Sequence, residues 1–248
     1  MISLTFGQIW EIFTALWWPF VRVMALILSA PILSSRATPF RVKILLGFLL
    51  AFTIAPLVSA PAPESDFLIL TIQNILVGVI IGFSLRLIFS AIEFAGDIAG
   101  LQIGLGFALL IDPMTSRQTP LIGNFFGVLA SLVFLAINGH LMLIIQLVES
   151  FSVIPLDNAS LNIINFPVIV SWGSELFKIA LLLSLPVIIV LLIVNIALGI
   201  MARVAPQLSI FSVGFSLSLV IGLLVIWVSL PYFAAPFERY LSTPLWVN

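Results

Sequence analysis

EFAGDIAGLQIGLGFALLIDP, residues 93–113, is apolar enough to lie in a bilayer, yet a lipid-facing helix does not look like this. Two carboxylates open the stretch, glycines recur through it, and Asp112-Pro113 closes it. At about 100° per residue, Glu93, Asp97, Gly100 and Gly104 share one helical face. Phe107 lies close to that face, and Gln102 points the opposite way. Each glycine costs a helix roughly 1 kcal/mol relative to alanine. A glycine stripe therefore implies something packed closely against it. Gly96, Gly100 and Gly104 admit two readings: close packing within the chain, or packing against partner helices around a shared axis.

The composition around this stretch sets the class. Of 248 residues, 62% are hydrophobic and 8% charged, against about 25% charged in a soluble domain. The chain reads as an all-α, polytopic membrane protein with about six long apolar helices and a glycine-rich broken helix. A net charge of −1 without a basic run or charged tail argues against nucleic acid. There is no cysteine, hence no disulfide, thiolate nucleophile or cysteine metal site. One histidine cannot build a histidine cluster. Residues 1–10 hold no Lys or Arg, and Glu11 precedes the first apolar run. The first segment is expected to stay on the mature protein.

Six apolar runs of spanning length are visible: 12–33, 44–60, 67–91, 121–148, 179–201 and 208–233. The first carries Arg22, which mid-bilayer would cost roughly 2.5–3.5 kcal/mol and so is expected to snorkel or to have a partner. Arg36, Arg41 and Lys43 form the densest positive cluster, placed in the cytoplasm by the positive-inside rule. That puts the N-terminus outside. The third run holds Gly78 and Gly82 in small-xxx-small spacing and continues into residues 93–113. Asn138-Gly139-His140, unusual in hydrocarbon, sits near the middle of the fourth. A weakly polar piece, 167–178, leads into the fifth, and the tail after Pro236 is short. No inverted repeat of the kind found in secondary transporters is evident.

The ionisable groups each carry two readings. Glu93 and Asp97, four residues apart, could carry protons or cations, since dehydrated carboxylates raise each other's pKa. The plainer reading places them near a helix N-terminus, where the dipole favours them, or at a subunit contact. Arg86 lies about two turns away, so a neighbouring chain suits it better than Glu93. Asn138 and His140 could form a proton relay, or a buried hydrogen-bonding group. Asn195, Gly199 and Arg203 repeat every four residues, as for interhelical hydrogen bonds with a cation at the helix end. No Ser/His/Asp set, metal-ligand spacing or phosphate-cradling loop is present, so nothing points to an enzyme or a cofactor.

Three motifs in order resemble a known family. Gly104-Leu105-Gly106-Phe107-Ala108 running into Asp112-Pro113 is the first. Asn138-Gly139-His140 with Ser150 and Pro155 is the second. Arg203-Val204-Ala205-Pro206-Gln207-Leu208-Ser209-Ile210-Phe211, then Gly214-Phe215, is the third. The chain resembles, over nearly its whole length, the FliR-like family of R subunits of type III export gates, flagellar and virulence-associated.

The resemblance implies a heteromeric complex with FliP-like and FliQ-like (P and Q) subunits in the bacterial inner membrane, within the flagellar basal body. FlhB-like and FlhA-like components would be nearby, and exported unfolded polypeptides would be the cargo. It implies a P-like part, 1–165, followed by a Q-like helical hairpin, 166–248. It also implies that many apolar segments meet other subunits as well as membrane lipid. The plug positions would be Gly104, Gly106, Phe107, Leu110, Asp112 and Pro113. Glu93, Gly96, Asp97, Gly100, Asn195, Gly199, Arg203, Pro206 and Gln207 would serve subunit packing. Leu110 stands where the family often has an aromatic, and Ser216 where it has a proline. The rival from another class is a proton- or cation-coupled transporter using Glu93, Asp97 and His140.

Overall fold

The computed structural model describes residues 6–35, 37–58, 66–105, 121–156, 166–204 and 210–242. Among them the regular structure is helical throughout. The helices are α1 (Phe6–Ser29), α2 (Phe40–Ile54), α3 (Phe67–Ile103) and α4 (Leu121–Ala136). They continue as α5 (Gly139–Val153), α6 (Phe166–Val204), α7 (Ile210–Ser229) and α8 (Ala235–Ser242).

Among the described residues four helices are long and apolar enough to cross a membrane, or up to five if one bent pair counts as a single span. The expectation from sequence is about six over the whole chain. In the first run the apolar stretch Phe13–Ser29 is shorter than these spans. The fourth run breaks at Ile137–Asn138 into α4 and α5. Asn138 adopts left-handed backbone, φ 57° and ψ 30°, which asparagine tolerates better than most residues.

One expectation changes. The piece 167–178 is not a lead-in but the start of α6, a 39-residue helix. Pro167 sits in its first turn, where no backbone N–H is needed. Of the residues after Pro236, 237–242 lie in α8.

The helices gather into two compact units. The first takes residues 1–87, 138–172 and 240–248, and the second takes 88–137 and 173–239.

In the first unit α1 lies directly on α3. A Cβ on Gly78 would sit 2.7 Å from the Ala25 Cβ and 3.1 Å from the Leu26 nitrogen. A Cβ on Gly82 would sit 2.9 Å from the Ala30 nitrogen. The small-xxx-small spacing is thus filled by the backbone of α1. At the outer end of the pair, Phe67 meets Trp10, Trp17 and Trp18, with the Trp18 ring 4.7 Å away.

Arg22 is the polar centre of this unit. It is fully buried. Its Nε donates to Asn74 Oδ1 (2.8 Å), its Nη1 to Ser150 Oγ (3.0 Å) and its Nη2 to the Ile154 carbonyl (3.0 Å). Its guanidinium carbon lies 3.8 Å from the centre of the Phe151 ring. Arg22 thus has partners and does not snorkel. It joins α1 to α3 and α5, and of its contacts Ser150 and Phe151 fall on the buried stripe Gln146, Leu147, Ser150 and Phe151 of α5. That stripe extends to the chain's end. Gln146 Nε2 donates to the Tyr240 and Leu241 carbonyls, and the buried Tyr240 hydroxyl bonds Ser84 and the Ile81 carbonyl.

Replacing Arg22 with Ala orphans these buried acceptors and leaves a hole, a loss of roughly 3 kcal/mol or more. Arg22→Lys should recover only part, because an ammonium cannot reproduce the planar fork. Thermal unfolding of the purified chain in detergent checks this. An unchanged midpoint for Arg22→Ala would mean that the clasp does not hold the unit.

Candidate functional site

The second unit contains the C-terminal half of α3, and it shows what faces the glycine stripe. The partner is α4 of the same chain. A Cβ on Gly96 would lie 2.8 Å from the Ile122 carbonyl oxygen and 2.9 Å from the Gly123 Cα. A Cβ on Gly100 would lie 3.3 Å from the Ile122 side chain. The seam is reciprocal. Gly123 of α4 lies against the Asp97 carboxylate, and a Cβ on Gly127 would lie 2.8 Å from Glu93 Oε1. Glycines on each helix thus receive side chains or backbone of the other, which lets the two axes approach closely. Phe126 extends the contact to Phe233, with ring centres 4.8 Å apart.

This placement removes one explanation of the carboxylates. α3 runs unbroken from Phe67, so Glu93 and Asp97 lie deep inside the helix. The dipole of a helix N-terminus acts only over the first turn and cannot account for them. Glu93 is exposed and Asp97 half-buried, and Asp97 Oδ1 is itself buried without a hydrogen bond.

α3 ends at Gly104, which has left-handed backbone at φ 93°. The Leu105 N–H donates to the Gly100 carbonyl and the Gly104 N–H to the Leu101 carbonyl, both at 3.1 Å. This pair of bonds is a Schellman stop, with glycine at the position that most side chains cannot take. Gly104 therefore ends the helix instead of continuing the glycine face. Ile103, the last helical residue, is buried against Gly222 of α7 and Leu191 of α6. Gly106, Phe107, Leu110, Asp112 and Pro113 lie outside the described residues.

The remaining expected residues are spread out. Asn195, Gly199 and Arg203 line an exposed face of α6, and a Cβ on Gly199 would meet nothing within 4 Å. Pro206 and Gln207 lie outside the described residues. Asn138 and His140 are not buried within this chain. Asn138 occupies the surface turn between α4 and α5, and His140 falls off the buried stripe Gly139, Leu143, Gln146, Leu147 of α5. Among the described residues no group of three or more His, Cys, Asp or Glu side chains could hold a metal ion. What the second unit assembles is a helix seam and a helix stop, both mechanical features.

Sequence reasoning missed Asn74, Gln146, Tyr240 and Gly222 as organising residues. Asn74 carried a signal, being an amide in an apolar run, as Arg22 is a charge in one. Gly222 carried only its isolation among large apolar neighbours.

Comparison with known proteins bears on these features. Residues 13–243 match the family described as Bacterial export proteins, family 1. The chain is 41% identical over 250 residues to the flagellar biosynthetic protein FliR of Escherichia coli K12, covering 99% of this chain and 95% of that one. It is 41% identical over 227 residues to the FliR of Pectobacterium carotovorum, covering 90% and 87%. Against the FliR of Bacillus subtilis it is 31% identical over 228 residues, covering 90% and 88%. Match length and identity together place this chain in the bacterial export protein family 1, among the FliR proteins.

Proposed function

We propose that this chain is the R subunit of a flagellar type III export gate in the bacterial inner membrane. It forms, with FliP-like and FliQ-like subunits, the channel through which unfolded flagellar proteins leave. The observation that carries this reading is the uncovered length of α6. A helix of 39 residues is roughly 58 Å long, about twice the hydrocarbon thickness of a bilayer. Within its candidate span, Val170–Val204, only 22% of the most apolar 18-residue window is buried within the chain. α3, at 37 residues, is similarly too long for simple lipid burial. The surplus apolar surface calls for protein neighbours.

The exposed stripe Asn195, Gly199 and Arg203 supplies the chemistry for such a neighbour. The glycine admits close helix approach, the amide offers a hydrogen bond in apolar surroundings, and the cation suits a facing carboxylate. FlhB-like and FlhA-like components of the basal body complete the machinery, and the driving energy comes from components other than this chain. The chain needs no cofactor and performs no catalysis.

In this reading residues 1–165 are P-like and 166–248 Q-like. The chain beyond the Gly104 stop supplies an apolar plug, with Phe107 as its main seal, Leu110 beside it, and Gly106, Asp112 and Pro113 shaping the turn. A ring of apolar side chains excludes hydrated ions by dewetting. The carboxylates that a transporter would use are engaged in the α3–α4 seam, which favours the gate over a coupled carrier. Relatives with flagellar names favour the flagellar system over a virulence one.

Two outcomes test the proposal. Phe107→Ala should make the closed, assembled gate leaky to small ions in a membrane conductance assay. An unchanged leak would remove Phe107 from the seal. Gly199→Leu should leave the chain's own unfolding midpoint unchanged or raise it, because no described residue contacts that position and leucine suits a helix better than glycine. It should nevertheless abolish co-purification with the P-like and Q-like subunits. Normal co-purification would remove the α6 stripe from the interface.

A further inference from the structure

We infer that Ile103, seated on Gly222, is the positioning contact that fixes where the chain leaves α3, an inference that rests on the gate reading above for its functional consequence. The Schellman stop at Gly104 ends the helix but does not by itself hold that end in place, since terminal turns fray unless side chains tie them down. Ile103 is the tie. It is 1% exposed. Its side chain fills the space over Gly222 so closely that a Cβ there would lie 2.5 Å from Cγ1 and 2.9 Å from Cδ1. Leu191 of α6, itself fully buried, closes the same spot, its Cδ1 3.5 Å from that point. α3, α6 and α7 therefore meet at one knob and one hole.

The hole is selective. Val220, Leu223 and Leu224 of α7 are exposed around it, and Gly199 on α6 faces open space. Glycine at 222 thus answers the need to seat Ile103 and not a general looseness of these helices. The consequence is a mechanical link. The place from which residue 104 departs is set by the α6–α7 pair. A neighbour that shifts this pair moves the exit of α3 with it.

The test uses the full chain assembled with its partner subunits in membranes. The chain has no cysteine, so Leu105→Cys gives it a single thiol beside the exit, and its labelling rate by a small maleimide reads the exit's placement. Gly222→Ala should change that rate severalfold. Adding Ile103→Ala should return it toward the reference, because the clash is then gone. Gly47→Ala is the control: it crowds Met24 elsewhere in the chain and should leave the rate unchanged. An unchanged rate for Gly222→Ala, or no relief by Ile103→Ala, overturns the inference. If Gly222→Ala fails to assemble, Ile103→Ala alone decides: faster labelling supports the tie and an unchanged rate overturns it. The gate reading is scored separately by ion leak. Altered labelling with an unaltered leak, in these variants and in Phe107→Ala, keeps the tie and removes the plug. Unaltered labelling beside a leaky Phe107→Ala does the reverse.

Discussion

A guanidinium buried among neutral partners is the constraint on which the first unit depends. Taking a cation out of water costs several kcal/mol even after relaxation. Arg22 offsets this with three hydrogen bonds and an aromatic face. Bonds to a charged donor are worth about 1.5–3 kcal/mol each, and a desolvated cation over a ring adds about 2 kcal/mol. The acceptors come from α3, α5 and the turn after α5. The charge is therefore tolerable only when these elements are in register, which makes the cluster a determinant of arrangement as much as of stability. Hydrophobic contacts alone, being non-directional, would permit α1 to slide or rotate against α3.

The second unit solves a related problem without a buried cation. α3 and α4 are both apolar helices, and inside a membrane there is little hydrophobic force to hold two such helices together. Their seam relies on close approach: Gly96 and Gly100 on one side, Gly123 and Gly127 on the other. The carboxylates of Glu93 and Asp97 lie in the same seam, over the α4 glycines. In an isolated transporter such groups would suggest a conducted ion. In a chain of the FliR family they are better understood as part of how α3 is seated. The glycine that differs in kind is Gly104, whose left-handed backbone ends the helix.

Length connects these local features to the family's assembled state. Two helices of 37 and 39 residues are longer than a bilayer's hydrocarbon core can cover. α3 covers much of its surface within the chain, with 56% of its most apolar window buried, whereas α6 covers little, at 22%. α6 thus leaves most of its apolar surface to lipid or to other chains. A gate subunit that is a single closed fold would not leave this imbalance. One that contributes an edge to a larger helical wall would.

Much of this was legible before any coordinates. The scarcity of charge established a helical membrane protein. The motifs at 104–113, 138–155 and 203–215 pointed to the family, which the match over residues 13–243 shows. Gly78 and Gly82 announced a close helix contact, and Arg22 announced a partner. The tertiary structure decided who those partners are. Periodicity marks a face but not its occupant, so the glycine stripe of α3 could not by itself be assigned to α4 instead of another subunit. Hydropathy cannot see a left-handed asparagine, so it did not show that the fourth run bends at Asn138 into α4 and α5. Nor can it distinguish a helix start from a helix interior, which is why Glu93 and Asp97 looked like dipole-stabilised ends. The seat of Ile103 on Gly222 joins residues far apart in the chain. Contacts of that kind are set by shape across three helices, and shape of that order exists only once the chain has folded.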